Sequence, residues 1–210
     1  MRPILGPAEL DEGAAHLMRV CPVWAQALPP LLPLPLRRWP EGFGALRDAV
    51  VGQQISTAAA AAIGARMAAA GLDSEAAIAA ADDAALRAAG LSRPKIRTLR
   101  GIALAGVDWD GLRALPDDAA VARLTALPGI GRWTAEIYLK FALGRPDVLA
   151  AGDLALAEAA RLLYRLPERP GPAALTALAE PWRPWRAVAA RALWAYYRAA
   201  KGREGVRQGG

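Results

Sequence analysis

The sequence predicts an all-α protein, and three features of its composition and patterning support this prediction. Alanine and leucine dominate the 210 residues, whereas β-branched residues are sparse. No run alternates polar and apolar residues for long enough to form a strand, and apolar positions recur at helical spacing almost throughout. The hydrophobic fraction of 54% is ample for a core, so the composition also excludes wholesale disorder.

The first predicted helix covers about residues 8–28. The proline-rich segment 29–40 that follows is predicted to be a linker, because proline lacks the N–H group that a helix interior needs. From Phe43 the apolar positions again follow helical spacing. Ser56 is then a plausible N-cap for a helix that runs towards Gly71.

The middle third of the sequence is typical of a bundle of short helices. Its polar residues that can cap helix N-termini are Ser74, Asp82, Ser92 and Asp117. Its glycines that can end helices are Gly71, Gly90 and Gly106. One predicted helix, 92–104, carries a basic cluster that consists of Arg93, Lys95, Arg97 and Arg100. A solvated face explains this cluster more simply than a phosphate contact does, and both interpretations stay open.

Two further helices, 117–126 and 132–143, are separated by the short segment Leu127–Gly131. Gly129 and Gly131 free the backbone to adopt positive φ and to approach another molecule closely. The following helix begins with N–H groups that have no intrahelical acceptor and with the positive end of its dipole. These features predict a cradle for DNA phosphates, and a simple tight turn between helices explains the five residues equally well.

The chain after this hairpin is also helical. A loop at 144–152 leads to Asp153 at the start of a helix through about residue 163. The final helices follow a linker at 167–172, and we assign their Trp182 and Trp185 to packing.

The rare residue types exclude several classes of site. Cys21 is the only cysteine, which excludes an intrachain disulfide, a four-cysteine iron–sulfur site and a cysteine-rich zinc site. His16 is the only histidine and leaves little scope for imidazole catalysis.

No apolar stretch is long enough to span a bilayer and no secretion signal is evident, so we expect a cytoplasmic protein with no membrane partner. The net charge of +6 weakly favours a polyanionic partner.

The segment Leu127–Ala135, with Asp153 about twenty residues later, resembles the helix-hairpin-helix (HhH-GPD) DNA glycosylase superfamily, and within it the 3-methyladenine-DNA glycosylase II family. Further segments resemble the patterns of this family in the same order, namely Val51–Ser56, Gly90–Arg97 and Trp182–Arg186. The resemblance covers roughly residues 8–200. It implies a two-lobed all-α fold without the N-terminal β domain of larger members.

The two expected lobes are discontinuous along the chain. Residues 1–41 and 132–201 form one lobe, which carries the catalytic aspartate. Residues 42–131 form the central lobe, which ends in the hairpin, and residues 202–210 form a flexible tail.

The resemblance implies that Asp153 is the catalytic residue. Cutting an N-glycosidic bond leaves an oxocarbenium-like sugar, and a carboxylate can stabilise this positive charge and activate the attacking water. An N-alkylated purine such as 3-methyladenine or 7-methylguanine already carries positive charge, so it needs little acid assistance to leave. The alternative is that Asp153 only N-caps the helix that begins at Leu154, and its position in the sequence fits that role equally well.

Family members that also cleave the DNA backbone use a hairpin lysine to form a Schiff base, and Trp133 occupies the corresponding position here. Because an indole cannot act as this nucleophile, the resemblance implies base release without strand cleavage. Lys140 lies about two turns further along the same helix, where an exposed i,i+4 pair with Glu136 is the simpler explanation.

The damaged base must leave the duplex, which requires a pocket for the flipped nucleotide and a wedge in the vacated stack. Trp133 and Trp194 match pocket tryptophans of the family, whereas Ile137 stands where the family has tyrosine, and this difference leaves the substrate range open. The wedge position matches the loop residues Gln53, Gln54 and Ile55, of which Gln54 matches best. The alternatives are that Trp194 is a core residue and that the loop only connects two helices.

The resemblance also gives roles to the hairpin. The residues expected at the DNA backbone are Gly129, Ile130, Gly131, Arg132 and Thr134. The carbonyls that match a monovalent-cation site for sodium or potassium in related hairpins are those of Thr125, Leu127 and Ile130. No side-chain spacing in the sequence requires a cofactor.

We therefore predict a monomeric, monofunctional DNA glycosylase of base excision repair that acts on double-stranded DNA containing damaged bases, in the cytosol of a bacterium or archaeon. Two alternatives stay open. One is a DNA-binding module that retains the hairpin and has lost the chemistry at Asp153. The other is a glycosylase for different bases, such as deaminated or etheno purines or a mismatched adenine, which the pocket residues would decide.

Overall fold

The middle of the chain and its two ends fold into separate units. The computed structural model describes residues 2–207, and for Thr57 and residues 202–207 it describes the backbone alone. The terminal unit combines the residues up to Arg38 with those from Gly144 onwards, and the central unit is Trp39–Leu143. Within the described residues all regular structure is helical, so the predicted all-α class is confirmed.

The described residues form thirteen α-helices and two 3₁₀ turns. The helices are α1 (Pro7–Val20), α2 (Pro22–Ala27), α3 (Phe43–Gly52), α4 (Thr57–Ala69), α5 (Glu75–Ala80), α6 (Asp83–Ala88), α7 (Arg93–Leu104), α8 (Trp109–Ala114), α9 (Asp117–Thr125), α10 (Arg132–Phe141), α11 (Leu154–Tyr164), α12 (Pro172–Leu178) and α13 (Arg186–Arg207). The 3₁₀ turns are Pro29–Leu31 and Glu180–Trp182. None of these helices combines the length and the hydrophobicity needed to cross a lipid bilayer.

Several helices begin where their capping residues predict. The side chains of Ser56, Ser74 and Asp82 accept hydrogen bonds from backbone N–H groups three residues later, at 3.2, 3.2 and 2.7 Å. Asp117 is not a cap, because Pro116 occupies the cap position of α9 in an extended conformation and Asp117 is the first helical residue. The predicted helix ends are confirmed by positive φ angles at Gly71, Gly90 and Gly106.

The predicted helix 8–28 is interrupted in the structure. α1 ends at Val20, Cys21 is extended with φ of −145°, and α2 begins at Pro22. The reason is local: proline disfavours helical geometry at the residue before it and has no N–H to donate. Proline is tolerated at the first position of the new helix.

The terminal unit is built around α1 and α13. At Gly13 of α1 a Cβ atom would clash with Val188 and Trp185, so the glycine lets the two helices approach closely. Trp182 and Trp185 are buried, as predicted for packing residues. The indole rings of Trp24 and Trp182 meet edge to face, with centroids 5.6 Å apart.

The boundary between the units differs from the predicted one at 131/132. α10 packs against α3 and α9, which places it in the central unit. Its Tyr138 is buried, accepts a 3.0 Å hydrogen bond from the backbone N–H of Gly42 and lies against the Trp109 ring. Burial raises the pKa of the Tyr138 hydroxyl to about 12. These contacts tie α10 to other elements of the central unit, so the chain leaves the unit only after Leu143.

The predicted tail at 202–210 falls at the edge of the described chain. α13 is helical to Arg207 and therefore includes part of this segment, whereas residues 208–210 lie outside the described residues.

Candidate active site

The hairpin between α9 and α10 is a tight turn with one structurally required glycine. Gly129 has φ of +73°, a region that residues with a Cβ atom rarely adopt. A Cβ at this position would also collide with the hydroxyl of Thr98. The backbone N–H of Ile130 donates to the carbonyl of Leu127 at 3.2 Å, and the Ile130 side chain is buried. The turn is therefore fixed from inside the central unit.

Gly131 differs from Gly129, and the prediction that both adopt positive φ is wrong for Gly131. Its φ is −85°, because it is the extended residue that precedes the first turn of α10. Apart from its two chain neighbours, no described residue places a heavy atom within 4 Å of the position that a Cβ would occupy, so packing does not require a glycine here. The missing side chain instead leaves the start of α10 open to an approaching group, where N–H groups and the helix dipole favour an anion.

The side chains around this helix start have different environments. Arg132 is exposed and donates to Glu136 at 2.8 Å, with 70% of its side chain accessible. Thr134, in contrast, is only 3% exposed, and its hydroxyl accepts a 2.9 Å hydrogen bond from the side-chain amide of Gln53. Thr134 can therefore offer DNA its backbone N–H, whereas its side chain is used inside the protein.

The prediction that Glu136 and Lys140 are exposed is wrong. Lys140 is fully buried, and Glu136 is 9% exposed and accepts from Arg132. The physical reason is the position of α10, whose residues from Thr134 to Phe141 are all buried, so even its polar residues lie in the interior. The i,i+4 spacing of Glu136 and Lys140 does not by itself predict that they are buried.

The loop between α3 and α4 contains the three predicted wedge residues in distinct environments. Gln53 is held by Thr134, as described above, whereas Gln54 is exposed and adopts left-handed backbone geometry with φ of 60°. Ile55 is exposed. A non-glycine residue in this conformation is uncommon and is maintained only when its surroundings fix it. The arrangement presents Gln54 outwards from a loop that Gln53 anchors.

The basic cluster on α7 contacts the last turn of α3, directly before this loop. Lys95 donates a 2.7 Å hydrogen bond to the carbonyl of Val51, and burial lowers the pKa of its ammonium group. Arg100 donates to Asp83 and to the carbonyl of Ala81, both at 2.8 Å. Two residues of the cluster therefore support the fold of the central unit, while Arg93 and Arg97 are exposed.

Asp153 lies in the terminal unit and N-caps α11, so the predicted cap is confirmed, whereas the predicted catalytic role stays a prediction. Its Oδ1 atom accepts hydrogen bonds from the backbone N–H groups of Ala155 and Leu156 at 2.9 and 3.0 Å. The indole N–H of Trp194, on α13, reaches the same oxygen at 3.4 Å. Asp153 and Trp194 are both half-buried. The cap fixes the direction of the carboxylate, which is compatible with a chemical role.

The other predicted pocket residues lie in the central unit. Trp133 is half-buried on the first turn of α10, and Ile137 is 5% exposed one turn later on the same helix. Trp194 and Asp153 therefore come together within one unit, and Trp133 and Ile137 within the other.

The predicted cation site consists of backbone oxygens. In the part of the chain that the structure describes, no cluster of three or more His, Cys, Asp or Glu side chains could hold a metal ion. The carbonyl of Leu127 accepts the Ile130 N–H, which uses one of its two lone pairs. The hard carbonyl donors of Thr125, Leu127 and Ile130 thus still suit an alkali cation chemically.

Comparison with known proteins identifies the family. Residues 48–184 match the model described as HhH-GPD superfamily base excision DNA repair protein. DNA-3-methyladenine glycosylase 1 of Schizosaccharomyces pombe is 38% identical over 114 residues, which make up 52% of this chain and 50% of that protein. The matched region spans about half of the curated relatives or less.

Two solved structures are similar over most of their length. The Schizosaccharomyces pombe 3-methyladenine DNA glycosylase in complex with abasic DNA superposes with a TM-score of 0.77 and 30% identity, covering 90% of this chain and 97% of that one. The DNA-3-methyladenine glycosidase from Bacillus halodurans superposes with a TM-score of 0.75 and 30% identity, covering 96% of this chain and 95% of that one. The family and fold that the sequence predicted are therefore confirmed. This chain belongs to the HhH-GPD superfamily of base excision DNA repair proteins.

Proposed function

We propose that this protein is a monofunctional DNA glycosylase that flips alkylated purines, such as 3-methyladenine and 7-methylguanine, out of duplex DNA and hydrolyses their N-glycosidic bond. The observation that carries the proposal is the environment of Asp153, a half-buried carboxylate that two backbone N–H groups and an indole N–H hold in one orientation. The names of the matched relatives, which are 3-methyladenine glycosylases, support the choice of substrate.

The chemistry follows from charge. As the bond to an alkylated purine breaks, the base leaves as a neutral molecule and the positive charge passes to the sugar. A fixed carboxylate next to the sugar stabilises that charge without having to reorient, and it can take a proton from the attacking water. Because the leaving base needs no proton, Asp153 is sufficient as the single reacting group of the protein.

The hairpin supplies DNA binding without sequence recognition. The open start of α10 at Gly131, with the exposed guanidinium of Arg132 beside it, suits one DNA phosphate. The carbonyls of Thr125, Leu127 and Ile130 would hold a sodium or potassium ion, whose charge would strengthen the attraction to the phosphate. We propose that the protein acts on DNA as a monomer.

Base release should not be followed by cleavage of the strand. A Schiff-base lyase needs an accessible amine at the sugar, and the hairpin position that carries the lysine in lyases is Trp133 here. Lys140, the next lysine along α10, is fully buried. The indole rings of Trp133 in the central unit and Trp194 in the terminal unit are each suited to stack on an electron-poor alkylated purine, and Ile137 lacks the hydroxyl of the tyrosine that the family has at its position.

The proposal is tested with methylated genomic DNA and with defined duplexes that carry 3-methyladenine analogues, 7-methylguanine, hypoxanthine or ethenoadenine. We expect chromatography to detect released methylated purines, and gels to show strand breaks only after alkali treatment. Strand breaks without alkali would contradict the monofunctional mechanism. Tight DNA binding with no base release from any duplex would identify a binding module instead.

Substitutions of the two glutamines in the α3–α4 loop should have different effects on rate and on stability. Gln54→Ala should slow single-turnover base release by about tenfold and leave thermal stability unchanged, because the flipped state loses about 1.4 kcal/mol of support. Gln53→Ala should instead lower the free energy of unfolding by about 1 kcal/mol, since it removes the partner of the buried Thr134 hydroxyl. Rapid-quench kinetics and urea unfolding of both variants measure this difference. Equal effects of the two substitutions on the rate would contradict the assignment of Gln54 as the wedge.

A further inference from the structure

The loop that leads to Asp153 has little regular structure of its own. It runs from Gly144, the first residue after the central unit, to Gly152, and Ala150 within it adopts left-handed geometry with φ of 60°. The N–H of Asp153 donates to the carbonyl of Ala150 at 3.0 Å, which closes a tight turn directly before the carboxylate. A non-glycine residue with positive φ is retained only where neighbouring groups fix the chain.

Arg186 supplies such a fixed point in the middle of the loop. Its Nε and Nη2 atoms donate to the two carboxylate oxygens of Asp147 at 2.8 and 3.0 Å, and Nη2 also donates to the backbone carbonyl of Asp147 at 2.9 Å. The next N–H on the helix, that of Ala187, donates to the carbonyl of Pro146 at 2.9 Å. Both the side chain and the backbone of the loop are therefore held by the first turn of α13.

Burial distinguishes Arg186 from the second arginine at this carboxylate. The side chain of Arg186 is 13% exposed and that of Asp147 is 20% exposed. Arg183 also pairs with Asp147, but half of its side chain is in solvent, where water and salt weaken an ion pair. The fork from Arg186 is consequently the contact that sets the position of the loop.

The same helix also contacts the carboxylate at the end of the loop. Trp194, whose indole N–H reaches Asp153, lies about two turns along α13 from Arg186. α13 packs along α11, the helix that Asp153 caps. One rigid helix thus holds the loop at Asp147 and the reacting group at Asp153.

We infer that Arg186 is a positioning residue for base excision, which acts by clamping Asp147 so that the 144–152 loop presents Asp153 in its reactive orientation. The inference rests on the proposed function of Asp153. It also gives a role to Arg186 in the Trp182–Arg186 segment, for which the sequence predicts packing roles at Trp182 and Trp185 alone.

The test compares Arg186→Gln and Asp147→Asn with a matched control. Glu158→Gln removes a carboxylate that also accepts from two arginines, Arg161 and Arg169, and whose side chain is 22% exposed, close to the 20% of Asp147. We expect the first two variants to release base about tenfold to a hundredfold more slowly in single turnovers, because small misplacements of a reacting group have effects of this size. The Kd for a duplex with an abasic-site analogue should change by less than about twofold, and Glu158→Gln should retain the wild-type rate.

A double variant shows whether Arg186 acts through Asp147. Arg186→Gln combined with Asp147→Asn should be no slower than the slower single variant, because the two side chains belong to one contact. Arg183→Gln removes the more exposed ion pair of Asp147 and should therefore slow the reaction less than Arg186→Gln. A fully multiplicative double variant, or a loss of DNA affinity at unchanged rate, would overturn the inference and assign Arg186 to DNA contact or stability.

Amide hydrogen exchange separates failure of this inference from failure of the proposed function. The N–H of Asp153 should exchange faster in Arg186→Gln and Asp147→Asn than in the wild type and in Glu158→Gln, whether or not any lesion is processed. Unchanged exchange in the two variants would refute the clamp even in an active enzyme. An inactive wild type with the expected exchange pattern would refute only the glycosylase assignment.

Discussion

Replacing Asp153 with asparagine should lower the rate of base release by at least about a hundredfold, while stability and DNA affinity remain close to wild type. The loss is large because the positive charge on the sugar exists only in the transition state, and a neutral amide cannot stabilise it. The same amide cannot accept the proton of the attacking water. Electrostatic and general-base contributions of this kind each reach about two to three orders of magnitude in rate.

Asparagine is the informative replacement because it is also a good N-cap. Its side-chain oxygen can still accept from Ala155 and Leu156, so α11 should retain its start. Asp153→Ala removes the cap as well and should cost about 1 kcal/mol of stability in addition. Asp82→Ala is the matched control, since Asp82 caps α6 in the central unit with a 2.7 Å bond, and it should show the capping cost with a normal rate.

Single-turnover release from a lesion duplex, urea unfolding and binding to an abasic-site analogue together measure these effects. A wild-type rate in Asp153→Asn would show that the aspartate is only a cap and would remove the central residue of the proposed mechanism. A fall in rate that merely follows a fall in stability across the three variants would lead to the same conclusion.

The parts of this structure that could be predicted from sequence depend on neighbours in the chain. The caps at Ser56, Ser74 and Asp82 were found correctly because an N-cap needs only an acceptor side chain about three residues before an amide. The cap at Asp153 follows the same logic. The helical apolar pattern does not predict the interruption at Cys21, even though its cause, Pro22, is local, because the pattern continues across this residue.

The remaining features depend on contacts between distant segments. Lys140 has an ordinary surface spacing with Glu136, and only the packing of α10 in the interior makes it buried. Asp147 and Arg186 are 39 positions apart, so no motif connects them. The split after Leu143, likewise, follows from the packing of α10 against α3 and α9 and not from the glycines of the hairpin.

The two hairpin glycines should respond to alanine in opposite ways, with the larger structural effect at Gly129. Gly129→Ala forces a Cβ into left-handed geometry, which costs about 1–2 kcal/mol, and against the Thr98 side chain, which adds about 1–3 kcal/mol. We expect the free energy of unfolding to fall by about 2–5 kcal/mol, with DNA binding lost as the turn deforms. Combining it with Thr98→Ala should recover part of the steric cost and none of the conformational cost.

Gly131→Ala should leave the free energy of unfolding within about 1 kcal/mol of wild type, because its φ of −85° suits alanine and its Cβ would contact no described residue beyond its chain neighbours. Its Kd for a lesion duplex should nevertheless rise by about tenfold, since the new methyl group occupies the space through which a phosphate reaches the first amides of α10. Urea unfolding and fluorescence anisotropy of the two variants separate stability from binding. Unchanged affinity in Gly131→Ala would place the phosphate elsewhere, because a strand held by these amides could not pass over the added Cβ unaffected.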